Sequence, residues 1–202
     1  KDLNRLITGG LVMAGDGLRR FLEPPENHAK IDVRKDRATA LRLLHPDKFP
    51  EGCWPAEHPL VWSQQVAINA MWNGMKASGC FAVNGPPGTG KTTLLRDVVA
   101  AIVVERAKVL ADRGARLLGE KRLLDVGGKS IPYYPLDPAL TGFSIVVASS
   151  NNGAVENVSL ELPKKSAIHE IWLDEVDGYR QVAGELLEEE AWALIAGRLG
   201  NK

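Results

Sequence analysis

Cysteine is scarce in this chain: 202 residues hold two, Cys53 and Cys80. They form no metal-ligand pattern and exclude a disulfide framework, which points to a reducing, intracellular (cytoplasmic) compartment. Cys80 lies in an apolar run and reads as a buried thiol. There is no apolar stretch long enough to span a bilayer and no signal peptide, so a membrane is not among the expected partners. Repeats and low-complexity tracts are also missing, which excludes solenoid and linker classes. Net charge is zero, with 25 basic and 25 acidic residues. It is unevenly spread: residues 168–202 hold eight acidic and three basic residues, leaving 17 acidic and 22 basic in 1–167. That modest basic excess suits a phosphate-rich ligand but is too small to argue nucleic-acid binding alone. The chain begins at Lys1 without an initiator methionine, in what reads as mid-element, and stops at Lys202 just after a helical stretch. It is expected to be a fragment of a longer protein.

What is present is a 45% hydrophobic composition, enough to bury a core. Residues 1–58 form an upstream segment that contains a helix at about 35–44 and ends in a proline-punctuated link. Residues 59–162 read as the first part of an α/β domain. Within it, Trp62 to Lys76 carries Val66, Ala67, Ala70, Met71 and Met75 at helical spacing, with Ser63 placed to cap the start. Cys80-Phe81-Ala82-Val83 reads as a buried strand. A further helix is predicted to about Asp112, with Leu94, Leu95, Val98, Val99, Ile102 and Val103 in register. Ser144-Ile145-Val146-Val147-Ala148 reads as a second buried strand. The thirty or so residues between them exceed an ordinary αβ loop, so about 114–143 is an insertion. A short helix is predicted at about 156–162. Residues 163–202 read as the start of a helical insertion, with an apolar stripe of Val182, Leu186, Leu187, Ala191, Leu194, Ile195 and Leu199.

The strongest chemical signal lies between the first strand and the long helix. Gly85-Pro86-Pro87-Gly88-Thr89-Gly90-Lys91-Thr92 matches G-x-x-x-x-G-K-[ST] in full and in the strand–loop–helix context that such a match requires. Glycines at 85, 88 and 90 let the backbone turn sharply and bring successive N–H groups to phosphate oxygens. The loop feeds a helix amino end, where unpaired N–H groups and the dipole favour an anion. Lys91 supplies a point charge for the β- and γ-phosphates, and Thr92 is the expected Mg²⁺ ligand. The ligands implied are ATP and Mg²⁺, held by residues 85–93 including Thr93. A glycine-rich turn that binds nothing is the plain alternative.

Two flanking segments extend the reading. Ser63-Gln64-Gln65-Val66-Ala67-Ile68, about twenty residues before the loop, resembles the Q motif of superfamily-1 helicases. Ser149-Ser150-Asn151-Asn152-Gly153-Ala154-Val155-Glu156-Asn157 resembles their motif Ia, closest to the branch that includes the nonsense-mediated-decay RNA helicase. That branch reads Ser-Asn-x-Ala-Val-Asp-Asn, so Glu156 replaces Asp and Asn151 stands in place of Ser. The resemblance spans about residues 60–160. It implies a RecA-like, mostly parallel sheet with helices on both faces, incomplete in this chain. It also implies that Gln64 contacts adenine and that Ser150, Asn151 and Asn152 touch the backbone of single-stranded DNA or RNA. An exposed helix-start glutamine and a polar strand-to-helix turn are the plain alternatives for these two segments.

A working member needs a Walker B carboxylate pair and arginines from a second RecA-like domain. Asp174-Glu175 is the tempting pair, but His169 and Glu170 shorten the apolar run before it. Val176-Asp177-Gly178 also departs from Asp-Glu-Ala-Gln. The pair is therefore set aside, and the catalytic carboxylates are expected beyond Lys202. The expected function is the ATP-binding part of an ATP-dependent helicase or translocase, with Lys91 as its catalytic residue. An AAA+ ATPase, a small-molecule kinase or a nucleotide-binding module without turnover are the alternatives.

Overall fold

The computed structural model describes residues 32–75, 79–86, 88–114, 117–149 and 158–196. Contacts divide the chain into two units, Lys1–Pro50 with Leu60–Leu94, and Glu51–Pro59 with Leu95–Lys202. The proline-punctuated link is divided between them, 45–50 falling in the first unit and 51–59 in the second. No described helix is long and apolar enough to cross a membrane.

The described residues of the first unit are built on two helices, with the start of a third. α1 (Arg37–Leu43) starts at Asp36, whose carboxylate accepts from Thr39 N–H at 2.9 Å and from its hydroxyl at 2.7 Å. Those bonds favour the ionised form and hold the Asp36 carboxyl below its ordinary value. α2 (Trp62–Gly74) buries Ile68, Met71 and the polar Asn69, which is 1% exposed. The expected face through Val66, Ala67 and Ala70 is only partly covered, because the helix docks through amides. A helix leaves its last four carbonyls without internal partners. Asn69 Nδ2 donates to one of these, Leu43 O, at 2.8 Å, while its Oδ1 accepts from Gln65 Nε2 at 2.8 Å. Asn73 Nδ2 donates to Lys48 O at 2.8 Å. Ser63 does not cap α2: the cap position is Val61, and Gln64 Oε1 takes its N–H at 2.9 Å.

α3 (Lys91–Arg113) begins in the first unit and continues through the second. Its buried positions are Leu94, Asp97 and Ala101, spaced three and four apart. This face is rotated from the predicted one, and Val103 is exposed. The reason is Gly52, where a Cβ would run into Ala100 O and lie 2.8 Å from Val104 Cγ2. The chain thus crosses α3 where no side chain intervenes. Trp54, 8% exposed, then ties three segments together. Its N–H donates to Asp97 Oδ1 at 3.1 Å and its indole Nε1 to Ala167 O at 2.7 Å. Its ring meets Trp192 edge-on, with centroids 5.8 Å apart. Trp192 Nε1 donates in turn to Leu162 O at 2.8 Å. Leu162, Ala167 and Ile168 complete the core around Trp54.

Within the stretch expected to be an insertion, residues 122–133 form a hairpin. β1 (Arg122–Val126) pairs antiparallel with β2 (Lys129–Tyr133), Val126 opposite Lys129 and Leu124 opposite Ile131. Gly127 and Gly128 form the two-residue turn at φ 60° and 79°. Positive φ at both central residues is the type I′ requirement, which glycine meets without strain. Asp125 Oδ1 braces the turn by accepting from Gly128 N–H at 3.0 Å. The tail corrects a second expectation. The last helix, α4 (Arg180–Leu187), ends at Glu188, which is left-handed at φ 57°, so Ala191, Leu194 and Ile195 are not helical. Leu199 lies outside the described residues. Three consecutive glutamates at the negative end of a helix dipole oppose its continuation. Ala191 and Ala193 instead form bridges with Lys164 and Gly178.

Among the described residues β1–β2 is the only sheet. The segments expected as buried strands, 80–83 and 144–148, have no ladder partner there and are exposed, Val146 by 86%. Cys80 is exposed as well. A strand holds its form through ladder bonds to neighbours, and none of the described segments provides a parallel one.

Burial raises the Asp97 carboxyl above its ordinary value of 3.8, outweighing the opposite effect of the Trp54 N–H bond. The folded state therefore binds this proton more tightly than the unfolded chain. Its stabilising contribution is complete below pH 3.8 and is lost as pH rises through the folded-state value. Asp97→Asn keeps an oxygen for Trp54 and carries no charge. It is expected to exceed wild type in stability at neutral pH, with the gap closing on acidification. Denaturant titrations across that range check this, and a gap that widens toward acid contradicts it.

Candidate nucleotide-binding loop

The loop is shaped by its glycines and by bonds across its own mouth. Gly88 and Gly90 take φ 79° and 75°, a region that side chains rarely enter. Thr89 Oγ1 donates to Pro86 O at 2.8 Å, and a Cβ on Gly85 would stand 2.7 Å from that hydroxyl. Each glycine therefore answers a specific backbone need. Pro87 lies outside the described residues.

Lys91 opens α3 and turns back over the loop, its ammonium donating to Gly85 O at 2.7 Å and Pro86 O at 2.8 Å. A phosphate oxygen carries formal charge and is a stronger acceptor than either carbonyl. Thr92, exposed, and Thr93, half-buried, complete the first turn. The α3 start has no acidic residue in that turn, so nothing there offsets its positive end. Leu94 N–H closes the first helical bond to Gly90 O at 3.0 Å. These residues fit a nucleoside triphosphate: a cradle of glycine backbone, a lysine at its mouth and a hydroxyl in the following turn suited to Mg²⁺.

Gln64 reaches the same loop. Its Nε2 donates to Thr89 O and Gly90 O, both at 3.2 Å. Sequence reading did not anticipate these contacts. A signal was present in the three-residue spacing from Val61, where a capping glutamine belongs, but Val61 has no side-chain oxygen to complete a capping box. Ser149 is described and exposed. Ser150, Asn151 and Asn152 lie outside the described residues, as does most of the segment that resembles motif Ia. Asp174 and Glu175 sit in a turn after the short 3-10 helix Glu170–Trp172, with Glu175 N–H bonded to Trp172 O at 3.0 Å. That is not the strand end a Walker B pair occupies.

A cleft of about 1310 Å³ in the second unit is lined by Glu170, Asp174, Glu185 and Glu188 together with Lys165 and Arg180. Its acidic excess opposes phosphate. No family model, curated protein or solved structure matches the chain.

Substitutions separate the two left-handed glycines. A Cβ on Gly90 would run into Gln64 Nε2, whereas nothing lies within 4 Å of one on Gly88. Gly88→Ala is expected to incur only backbone strain of about 1–2 kcal/mol. Gly90→Ala adds displacement of Gln64 and should lower the melting temperature further. Equal losses in a thermal scan would contradict this geometry.

Proposed function

We propose that this chain is the ATP-binding part of an ATP-dependent DNA or RNA helicase or translocase, with a RecA-like, mostly parallel sheet that is incomplete here. The observation that carries nucleotide binding is the loop itself, with Gly88 and Gly90 left-handed and Lys91 poised over the mouth at the start of α3. The helicase reading adds the segments resembling the Q motif and motif Ia.

In this reading the N–H groups of the loop and of the first turn of α3 hold the phosphates. Lys91 would bind the β- and γ-phosphates and Thr92 would supply a hydroxyl ligand for Mg²⁺. The bound Mg-ATP supplies a transferable γ-phosphoryl group. Carboxylates to orient water and arginines to offset developing charge come from further parts of the same protein, including a second RecA-like domain. The setting is intracellular. An AAA+ ATPase shares the loop but does not require the segment at 63–68, and a nucleotide-binding module without turnover is the alternative that shares every one of these segments.

Lys91→Ala removes the charge that meets the phosphates and is expected to weaken Mg-ATP binding at least tenfold, the loss of one charge-assisted hydrogen bond or more. Isothermal calorimetry measures it, and equal affinity in the two proteins defeats the assignment.

The nucleic-acid half has its own test. Hydroxyl and amide groups at Ser150, Asn151 and Asn152 would fix a strand's register through phosphate contacts without reading sequence. A labelled single strand should bind this chain weakly at low salt and less as salt rises. In fluorescence anisotropy, an Asn151→Ala, Asn152→Ala double variant should lose that binding while Mg-ATP binding is kept. Full retention of strand binding removes the motif Ia reading and leaves the nucleotide site standing.

A further inference from the structure

We propose that Gln64 is a positioning residue for the phosphate loop, aiming the N–H groups of Gly90 and Lys91, rather than a reader of the nucleotide base. The inference rests on the nucleotide-binding reading of the loop.

A primary amide has two N–H donors and one carbonyl oxygen. In Gln64 all three functions are engaged. Oε1 accepts from Val61 N–H at 2.9 Å, at the start of α2. Nε2 donates to the successive carbonyls Thr89 O and Gly90 O, both at 3.2 Å. The side chain is thus a strut from the α2 amino end to the last turn of the loop. The surface of Gly90 faces this strut closely, since any Cβ there would collide with Nε2. To meet a base edge, the amide would have to surrender these bonds.

The consequence follows from the peptide unit. In a trans, planar peptide the C=O and the following N–H point in opposite directions. Pinning Thr89 C=O toward Gln64 therefore turns Gly90 N–H away from it. Pinning Gly90 C=O does the same for Lys91 N–H, and the Leu94 N–H bond to that same carbonyl acts in the same sense. These N–H groups belong to the last loop residue and the first helical residue. They are the donors that a phosphate at a helix amino end requires. Without the strut, the two peptide planes at a left-handed glycine are freer to rotate, and the donors lose their common direction.

The test uses ligands with and without a base. Wild type, Gln64→Ala, Gln64→Glu and Lys91→Ala are titrated calorimetrically with Mg²⁺ and inorganic tripolyphosphate, ATP or GTP. Gln64→Ala is expected to weaken all three ligands by a common factor of about tenfold. Gln64→Glu keeps an oxygen for Val61 N–H but has no donor for the loop carbonyls. It should bind no more tightly than Gln64→Ala, because it also adds a negative charge beside the loop, while circular dichroism shows the helix content of wild type. In ¹⁵N-labelled protein without ligand, the Gly90 and Lys91 amide resonances should shift in both variants. A loss confined to ATP, with tripolyphosphate binding unchanged, overturns the proposal in favour of base reading. Unchanged affinity for every ligand, or unmoved Gly90 and Lys91 resonances, overturns it also. Wild-type tripolyphosphate and ATP binding equal to that of Lys91→Ala would instead bring down the nucleotide reading itself.

Discussion

The hydrogen bond from Trp54 N–H to the buried Asp97 carboxylate fixes the helix on which the second unit is assembled. An unpaired carboxylate at that depth would carry a desolvation penalty with nothing to offset it. Trp54 removes part of that penalty and contributes its indole on the opposite side. The indole N–H finds Ala167 O and the ring edge finds Trp192, so one residue holds α3, the 162–168 segment and the tail around a single point. Gly52 makes the approach possible by leaving room at Ala100 and Val104. The same α3 presents the phosphate loop at its amino end.

Polar side chains carry more of the first unit than its composition suggests. Asn69 and Asn73 satisfy carbonyls at the end of α1 and in the turn beyond it. Gln64 satisfies carbonyls of the loop, two residues before and one before the lysine. In each case an amide on α2 supplies donors to backbone carbonyls outside its own helix. α2 is in this sense a row of donors, which accounts for a buried face centred on Asn69 instead of on valine and alanine.

Legibility followed the kind of information each element carries. α1, α2 and α3 were readable because their patterns are local and their ends are marked, by Asp36 for the first and by the glycine loop for the third. The face of α3 was not, because it is chosen by Gly52, some forty residues earlier in the chain. The hairpin could have been found: Asp125-Val126-Gly127-Gly128-Lys129 is a two-glycine turn between β-prone residues. Reading 114–143 only as excess length concealed it. The tail stripe had helical spacing, but Glu188-Glu189-Glu190 stops the helix partway, and periodicity does not register a terminator made of charge. Segments 80–83 and 144–148 have strand composition, yet a strand is defined by its neighbours, and composition names none. Within the site, the residue types at 85–92 match what phosphate chemistry demands at fixed spacing. The grip of Gln64 on that loop was not legible, since it depends on where α2 lies in three dimensions.

Charge placement is the last constraint on where phosphate chemistry can occur. Glutamates concentrate along the cleft at Glu185 and Glu188 to Glu190, where Lys165 is already paired with Glu190 at 2.9 Å. A polyphosphate entering there would meet an excess of like charge. At the start of α3 the balance is reversed. The first turn has no carboxylate, the helix dipole is positive, and among the described residues the Lys91 ammonium is held by neutral carbonyls of the loop. Exchanging a neutral acceptor for an anionic one strengthens the lysine's bond, whereas breaking an ion pair to do so would cancel most of that gain. The loop is thus arranged so that its own resting contacts are weaker than those a phosphate would provide. That asymmetry favours an anion at Lys91 over the cleft lysine, Lys165, which is tied in an ion pair.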